Sequence, residues 1–308
     1  MNKKRLGQKF VFLLPVLAGI FYGSAGTFVR LLDSWEMDNF TIIESRAIFG
    51  VVMLFLILLI WDRKKLRIHK KDIWLFLVLG IAGMFLLNIF YNISIVRLSL
   101  SFSAVLLCLC PVYVLIFSAI FFKEKVGIQK IICVVLVIFG CVLVSGFLEN
   151  ISGTTLSLLG LGAGILSGIC YAVINIASKE LANRNYNGLT VTFYGVIVVL
   201  IISAPFADWG LLGKTITTNP GTNVPLLILH AFCVLVAPYL LINAGLARMD
   251  AGKVAVFSST EPMAAMVFGW IFFSEIPSVL MIVGMILTIV ALVFFSLPDI
   301  TRKKTKQF

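Results

Sequence analysis

A proline, a pair of phenylalanines and a glutamate recur in this chain at a fixed offset. Pro111, Phe121, Phe122 and Glu124 become Pro262, Phe272, Phe273 and Glu275 when 151 is added to each number. The same shift carries Asn92 onto Asn243, Arg97 onto Arg248, Ala104-Val105 onto Ala255-Val256 and Phe117 onto Phe268, without a gap. Earlier in each copy the offset is 149: Gly19-Ile20-Phe21-Tyr22 matches Gly168-Ile169-Cys170-Tyr171, and Arg30-Leu31-Leu32 matches Lys179-Glu180-Leu181. Self-similarity at a constant offset marks a duplicated structural unit. The chain is therefore predicted to fold as two related halves, 1–150 and 156–298, joined by the polar stretch 149–155 and followed by a basic tail over 299–308.

The apolar runs say what each half is built from. Hydrophobic residues make up 60% of the chain, charged residues 13%, and the mean hydropathy is +1.08; soluble domains carry roughly 25% charge. Runs long enough to cross ~30 Å of hydrocarbon lie at about 10–33, 38–61, 72–96, 100–122, 127–148, 156–178, 188–206, 224–247, 252–273 and 276–297. Five spans per half is an odd number, so the second half enters the bilayer from the opposite face. The expected fold is an all-α integral membrane protein with ten transmembrane helices in two inverted five-helix repeats, the architecture of many secondary transporters.

A net charge of +11 raises the question of nucleic acid, and the distribution answers it. With the N-terminus inside, 21 of the 25 basic residues fall on inner segments, among them Lys3, Lys4, Arg5 and Lys9, six from Arg63 to Lys71, and four from Arg302 to Lys306. Outer loops hold only Arg97 and Lys214, and Arg30 and Arg46 lie within spans. This is the positive-inside bias, which places both termini in the cytoplasm of a multi-pass protein of the plasma membrane, in a bacterium the inner or cytoplasmic membrane. No inner segment is long enough to present the basic face that nucleic acid requires. The basic start and apolar run of the N-terminus resemble a signal peptide. The run is too long, lacks a small-residue cleavage site and carries Arg30 and Asp33 at its far end, so an uncleaved first helix is expected.

Chemistry of other classes lacks its residues. There is no H-E-x-x-H, no G-x-S-x-G and no P-loop lysine, so the chain is not read as an enzyme and no cofactor is expected. The six cysteines all fall inside apolar spans without a C-x-x-C and read as buried small hydrophobes. With two histidines only, no metal centre is expected. The polar interruption at 207–223 is either a lid or a flexible outer connection.

On these features the chain resembles the EamA-like branch of the drug/metabolite transporter superfamily. The residues that carry the resemblance are the prolines Pro111 and Pro262 in the fourth helix of each repeat and the acids Glu124 and Glu275 that close those helices. Tyr22-Gly23 stands where this family often shows Trp-Gly. The resemblance covers nearly the whole chain and implies transport of a small solute: amino acids, other metabolites, cationic drugs or choline-like compounds.

Glu261 is the first candidate for the site. It lies about ten residues, roughly 15 Å at 1.5 Å per residue, into the ninth span, where an ionised side chain costs at least ~2.5–3.5 kcal/mol. Pro262 removes the helix bond to the Ser258 carbonyl, and Ser258, Ser259 and Thr260 make the surrounding turn polar. The counterpart of Glu261 in the first half is Cys110, so the scaffold is duplicated and the acid is not. Either Glu261 binds substrate or proton, or it is a protonated packing residue. Tyr22 and Tyr171, near the middle of spans one and six at symmetry-related positions, are candidate cage walls or packing aromatics; Asn175, Asn88, Tyr91 and Tyr239 complete the candidate lining. Glu44 is expected to reach Arg30 across the first hairpin, as a structural pair or an outer gate. Arg46, with no acidic partner at its depth, is expected either to reach the interface or to bind a substrate carboxylate. His230 reads as a hydrogen-bonded packing residue or a proton relay, and Asn243 as an interhelical bonding group.

These residues point to a secondary active transporter of a small polar metabolite, an amino acid or related solute, alternating access around a midplane site and coupled to protons through Glu261. The alternatives are uptake or efflux of an organic cation with Glu261 as counter-ion, and, more remotely, a membrane structural or sensory protein without flux. The partners implied are the solute, the lipid bilayer and protons, with a homodimer left open. Reporter fusions after Lys71, Lys130 and Lys304 should read cytoplasmic and one near Asn219 external; a cytoplasmic signal at Asn219 would remove the inversion.

Overall fold

The computed structural model describes residues 10–61, 63–98, 100–124, 126–150 and 157–296. The basic cluster Lys3, Lys4, Arg5 and Lys9, residues 151–155 of the expected joint and the tail 299–308 lie outside the described residues. Among those described, every regular element is a helix. In chain order the long ones are α1 (Leu13–Asp33), α2 (Asn39–Ile60), α3 (Lys70–Arg97), α4 (Ser103–Phe122), α5 (Ile128–Val144), α6 (Leu158–Asn183), α7 (Gly188–Phe206), α8 (Pro220–Leu246), α9 (Ala251–Phe273) and α10 (Val279–Phe295). Eight of them are long and apolar enough to cross a membrane, and α5 and α10 are shorter apolar helices. Their outer surfaces are apolar too: Val135, Phe139, Val290 and Val293 are each more than half exposed, a surface suited to lipid and not to water. The protein is an all-α, multi-pass membrane protein.

Local chemistry sets the helix ends. The Asn187 side chain accepts from Leu189 N at 3.0 Å ahead of α7, and Asp38 accepts from Thr41 N at 2.6 Å ahead of α2, each satisfying an amide that a helix start leaves without a partner. Lys123 and Ser274, which correspond by the 151 offset, both take left-handed backbone (φ 52° and 56°) and end α4 and α9. The 207–223 interruption is not a free connection. Residues Trp209–Thr218 form a helix whose start is capped by Asp208, accepting from Leu211 N at 2.9 Å. It docks by burying Leu212 and Thr215 and by donation from Asp208 N to Thr41 Oγ1 at 2.8 Å. Its glycines suggest a loop; the cap and the buried face override them.

The duplication extends to irregularities. α4 is interrupted between Leu100–Leu107 and Cys110–Phe122, and α9 between Ala251–Ser258 and Glu261–Phe273, with Pro111 and Pro262 in the first turn of each second piece, where a missing amide costs nothing. α3 and α8 each contain a π-helical stretch, Val78–Phe85 and Phe232–Val236, whose last residues are related by the same 151.

Packing exchanges elements between the halves. α1 packs on α8 and α9, α6 on α3 and α4, α2 on α7 and α5 on α10. Each contact has its counterpart in the other half, an inverted-repeat-like arrangement. Small residues permit the closest approaches, as expected where packing in lipid depends on contact: a Cβ added at Gly23 would stand 2.7 Å from Ala265 N and 2.8 Å from Glu261 O. On α6, a Cβ at Gly164 would press on Leu106 and stand 2.8 Å from Ser94 Oγ, whereas at Gly162 it meets nothing within 4 Å. Gly164→Leu should therefore destabilise by about 1–3 kcal/mol through overpacking, and Gly162→Leu should not. Thermal unfolding of the two variants in detergent checks the difference.

Candidate functional site

Glu261 opens the second piece of α9, so its carboxyl sits at a helix N-terminus in the middle of a span, a favourable place for negative charge. Thr260 Oγ1 donates to Val16 O of α1 at 3.0 Å, and Gly19 and Gly23 bring α1 against the backbone of the break. Tyr22, between those glycines, is thereby aimed at the same place. Its ring meets Tyr171 of α6 edge-on, with centroids 6.4 Å apart at 87°, and Tyr239 of α8 at 5.8 Å and 86°. The Tyr171 hydroxyl faces both the Glu261 carboxyl and the Ser258 hydroxyl. Tyr91, Cys108 and Cys110 also lie within electrostatic range of Glu261. Glu261, Tyr22, Tyr91, Tyr171 and Tyr239 each retain intermediate accessibility. Among the described residues no cation stands within ion-pairing distance of Glu261. Four helices thus converge on one carboxyl through their tyrosines.

A second polar group adjoins the first. Arg46 of α2, Asn88 of α3 and Tyr239 of α8 line a small cleft with Met84 and Leu235. Its free space is about 20 Å³, room for roughly one water molecule. Asn88 and Tyr239 correspond by the 151 offset, as do Met84 and Leu235, so the cleft sits on the relation between the halves. Asn88 Nδ2 donates to Met84 O at 2.7 Å. Arg46 Nε is buried and has no hydrogen-bond partner; its guanidinium lies within electrostatic range of Tyr239 and Tyr22. Tyr239 therefore belongs to both groups and joins them. Asn175 of α6 is buried, donates to Tyr171 O at 3.0 Å and leaves Oδ1 without a partner.

The structure replaces the expected Arg30–Glu44 pair. Arg30 is bound to Glu275 at 2.6 Å, with its guanidinium 4.7 Å from the Phe273 ring centre, while Glu44 is fully buried against Ser203 Oγ of α7 at 2.5 Å. The reason is the exchanged packing: α1 lies on α9, so its last turn reaches the α9–α10 turn and not α2. His230 is fully buried, yet neither ring nitrogen has a hydrogen-bond partner, and it packs on Phe28 at 5.4 Å; the hydrogen-bonded role expected of it is absent. Asn243 does bond between helices, donating to Thr192 Oγ1 of α7 at 3.1 Å.

Ties between the halves differ at the two ends of the bundle. At the Lys130 end, Glu124 accepts from Ala251 N at 3.1 Å, Lys130 meets Asp250 at 3.6 Å, and Lys179 Nζ donates to Leu246 O and Met249 O at 2.7 and 2.9 Å. There too Asp72 holds Arg184 at 2.5 Å and accepts from the Tyr186 hydroxyl at 2.7 Å; burial and that bond push the Tyr186 hydroxyl above its ordinary range. At the other end stand the half-exposed Arg30–Glu275 pair and the Ser278–Glu149 hydrogen bond. These contacts escaped the sequence reading, although the matching Glu124 and Glu275 marked where two of them would form. Among the described residues no three His, Cys, Asp or Glu side chains are grouped as metal ligands.

The model of the EamA-like transporter family matches residues 9–146 and 158–297. A transporter of Archaeoglobus fulgidus without assigned function is 25% identical over 269 residues, covering 85% of this chain and 90% of its own. The pseudopaline exporter CntI of Pseudomonas aeruginosa is 22% identical, covering 92% and 95%, and the transporter YxxF of Bacillus subtilis is 24% identical, covering 89% and 88%. One solved crystal structure superimposes with a TM-score of 0.75 over 92% of this chain and 96% of its own, at 16% identity; that likeness concerns the fold.

Tyr22 holds two edge-on ring contacts, each worth about 0.5–1.5 kcal/mol beyond area burial. Tyr22→Leu should lower the thermal unfolding temperature in detergent, while Tyr22→Phe, which keeps both contacts, should leave it nearly unchanged.

Proposed function

The chain belongs to the EamA-like transporter family, a family of transporters and not of enzymes, and we propose on that footing that it is a secondary active transporter of a small polar metabolite. In this reading its ten helices form two inverted five-helix repeats in a cytoplasmic membrane, with both termini inside. Access alternates around a midplane site between the repeats. The observation that carries the reading is the single Glu261 carboxyl, placed at the break of α9 and ringed by Tyr22, Tyr91, Tyr171 and Tyr239 without a paired cation.

A carboxylate at that depth is costly while ionised and is neutralised by a proton or by a positively charged group of the solute. Either neutral form crosses an apolar barrier that the bare anion does not. Exchange of one ligand for the other across the membrane is antiport, with Glu261 as the coupling group. Arg30 and Glu275 then form an outer latch. Being half exposed, such a pair contributes only about 0–1 kcal/mol, which suits a contact that must open in every cycle. A second reading, transport of an organic cation with Glu261 as counter-ion, is supported by the tyrosine rings beside the carboxyl, since aromatic faces attract cations. The relative named as an exporter supports outward movement as one direction.

Glu261→Gln keeps shape and hydrogen bonding and strands no charge, so the variant should insert and fold. Solute exchange in proteoliposomes at equal pH should survive, while accumulation driven by a pH gradient should disappear. In the counter-ion reading binding itself weakens instead, by roughly 1.5–3 kcal/mol for a lost charge-assisted contact. Unchanged gradient-driven transport with unchanged affinity would make Glu261 a packing residue.

A further inference from the structure

Six of the nine residues from Arg63 to Lys71 are basic. Charge alone orients a chain during insertion, and a loop that did only this could hang slack in the folded protein. This one is fastened. Thr190 Oγ1 donates to Lys65 O at 2.7 Å and the Tyr194 hydroxyl to Leu66 O at 2.6 Å, from positions one turn apart on α7. His69 N donates to the Tyr186 hydroxyl at 3.0 Å. Phe76 of α3, itself buried, meets the Tyr186 and Tyr194 rings at 5.3 and 5.5 Å and closes the seam. The loop between α2 and α3 is thus held by side chains of the other half. Fastening also sorts its side chains. Leu66 and Ile68 pack on two buried apolar clusters, while Arg67 between them is exposed. Asp72, which would neutralise the run, faces inward and is taken up by Arg184 and the Tyr186 hydroxyl. Arg67, Lys70 and Lys71 are left exposed, and among the described residues no carboxylate forms an ion pair with them.

An apolar stripe begins where these cations stop. Trp74, Leu77 and Ile81 lie about one helical turn apart along α3 and are 53%, 42% and 37% exposed. Lys70 stands one turn before Trp74 on the same face. The Arg184 guanidinium, 5.9 Å from the Trp74 ring centre, steadies the indole. The surface therefore presents fixed positive charge, then a tryptophan of the kind that marks the edge of a membrane, then aliphatic side chains of a span. We propose that it is a binding site for an anionic glycerophospholipid, with the phosphate on Arg67, Lys70 and Lys71 and one acyl chain along Trp74, Leu77 and Ile81. A soluble phosphate or an acidic protein would match the charge and leave the stripe unused, whereas a lipid uses both. A zwitterionic phospholipid brings its own cation and gains little from three more. The loop belongs to the first half and its fastenings to the second, so an occupied site braces the halves against each other at this end of the bundle. The site is separate from the Glu261 region and does not depend on what is carried there.

The test uses the full chain in a neutral detergent, with thermal unfolding and native mass spectrometry as readouts. The probes are phosphatidylglycerol, phosphatidylcholine with the same acyl chains, and glycerophosphoglycerol, the headgroup without tails. Phosphatidylglycerol should stay bound and raise the unfolding temperature, while phosphatidylcholine and the bare headgroup should do neither. The triple variant Arg67→Gln, Lys70→Gln, Lys71→Gln should weaken binding about a hundredfold, roughly fivefold for each basic residue near a membrane surface. Taking three charges from the tail instead, with Arg302→Gln, Lys303→Gln and Lys304→Gln, should leave binding nearly unchanged. Thr190→Val combined with Tyr194→Phe keeps every charge and releases the loop, and should weaken binding severalfold. Equal binding of the two lipids, saturation by the bare headgroup, or an equal loss in the tail variant overturns the proposal. So does undiminished binding once the fastenings are cut, since the charge would then act without a built site. Solute flux enters none of these readouts.

Discussion

A helix interrupted in the middle of a bilayer leaves amides and carbonyls without partners, and hydrocarbon offers them none. In α9 the neighbours supply what is missing. Ser258 and Ser259 donate back to Ala255 O, and Thr260 crosses to Val16 O. That repair works only because α1 comes within contact of the α9 backbone, which requires Gly19 and Gly23. The same approach delivers Tyr22 to Glu261 and sends Arg30 to Glu275. Core packing, candidate site and outer latch therefore depend on one close helix crossing.

The exchange of first helices between the halves explains why the site lies where it does. With α1 seated on the second half and α6 on the first, each half contributes a tyrosine, Tyr22 and Tyr171, to the space enclosed by the other. The duplicated parts build the enclosure. Residues without a counterpart across the halves, Glu261 against Cys110 among them, make its interior asymmetric.

Much of this was legible in the sequence, because its signals are composition and identity. Apolar runs located the helices to within a few residues, the repeated Pro, Phe-Phe and Glu set the offset, and an acid beside a proline in an apolar run marked Glu261. What failed was inference from adjacency. Arg30 was expected to meet Glu44 because their helices are consecutive, yet consecutive helices here pack elsewhere. Trp209–Thr218 was hidden by its glycines, since the Asp208 cap is a local signal and the buried face of Leu212 and Thr215 is a tertiary one. The π stretches carry no composition of their own.

Those stretches have a mechanical consequence. A π segment winds more loosely than an α-helix, and returning one to α geometry by a single residue would turn the following helix by about 100° and advance it by about 1.5 Å. Asn88 stands three residues beyond Phe85, and Tyr239 three beyond Val236, so each stretch ends immediately before the residue it supplies to the cleft. One click of winding in α3 would swing Asn88 away from Arg46, and one in α8 would swing Tyr239 away from Tyr22. The two halves thus carry one loosely wound stretch apiece, and the two end at matching places.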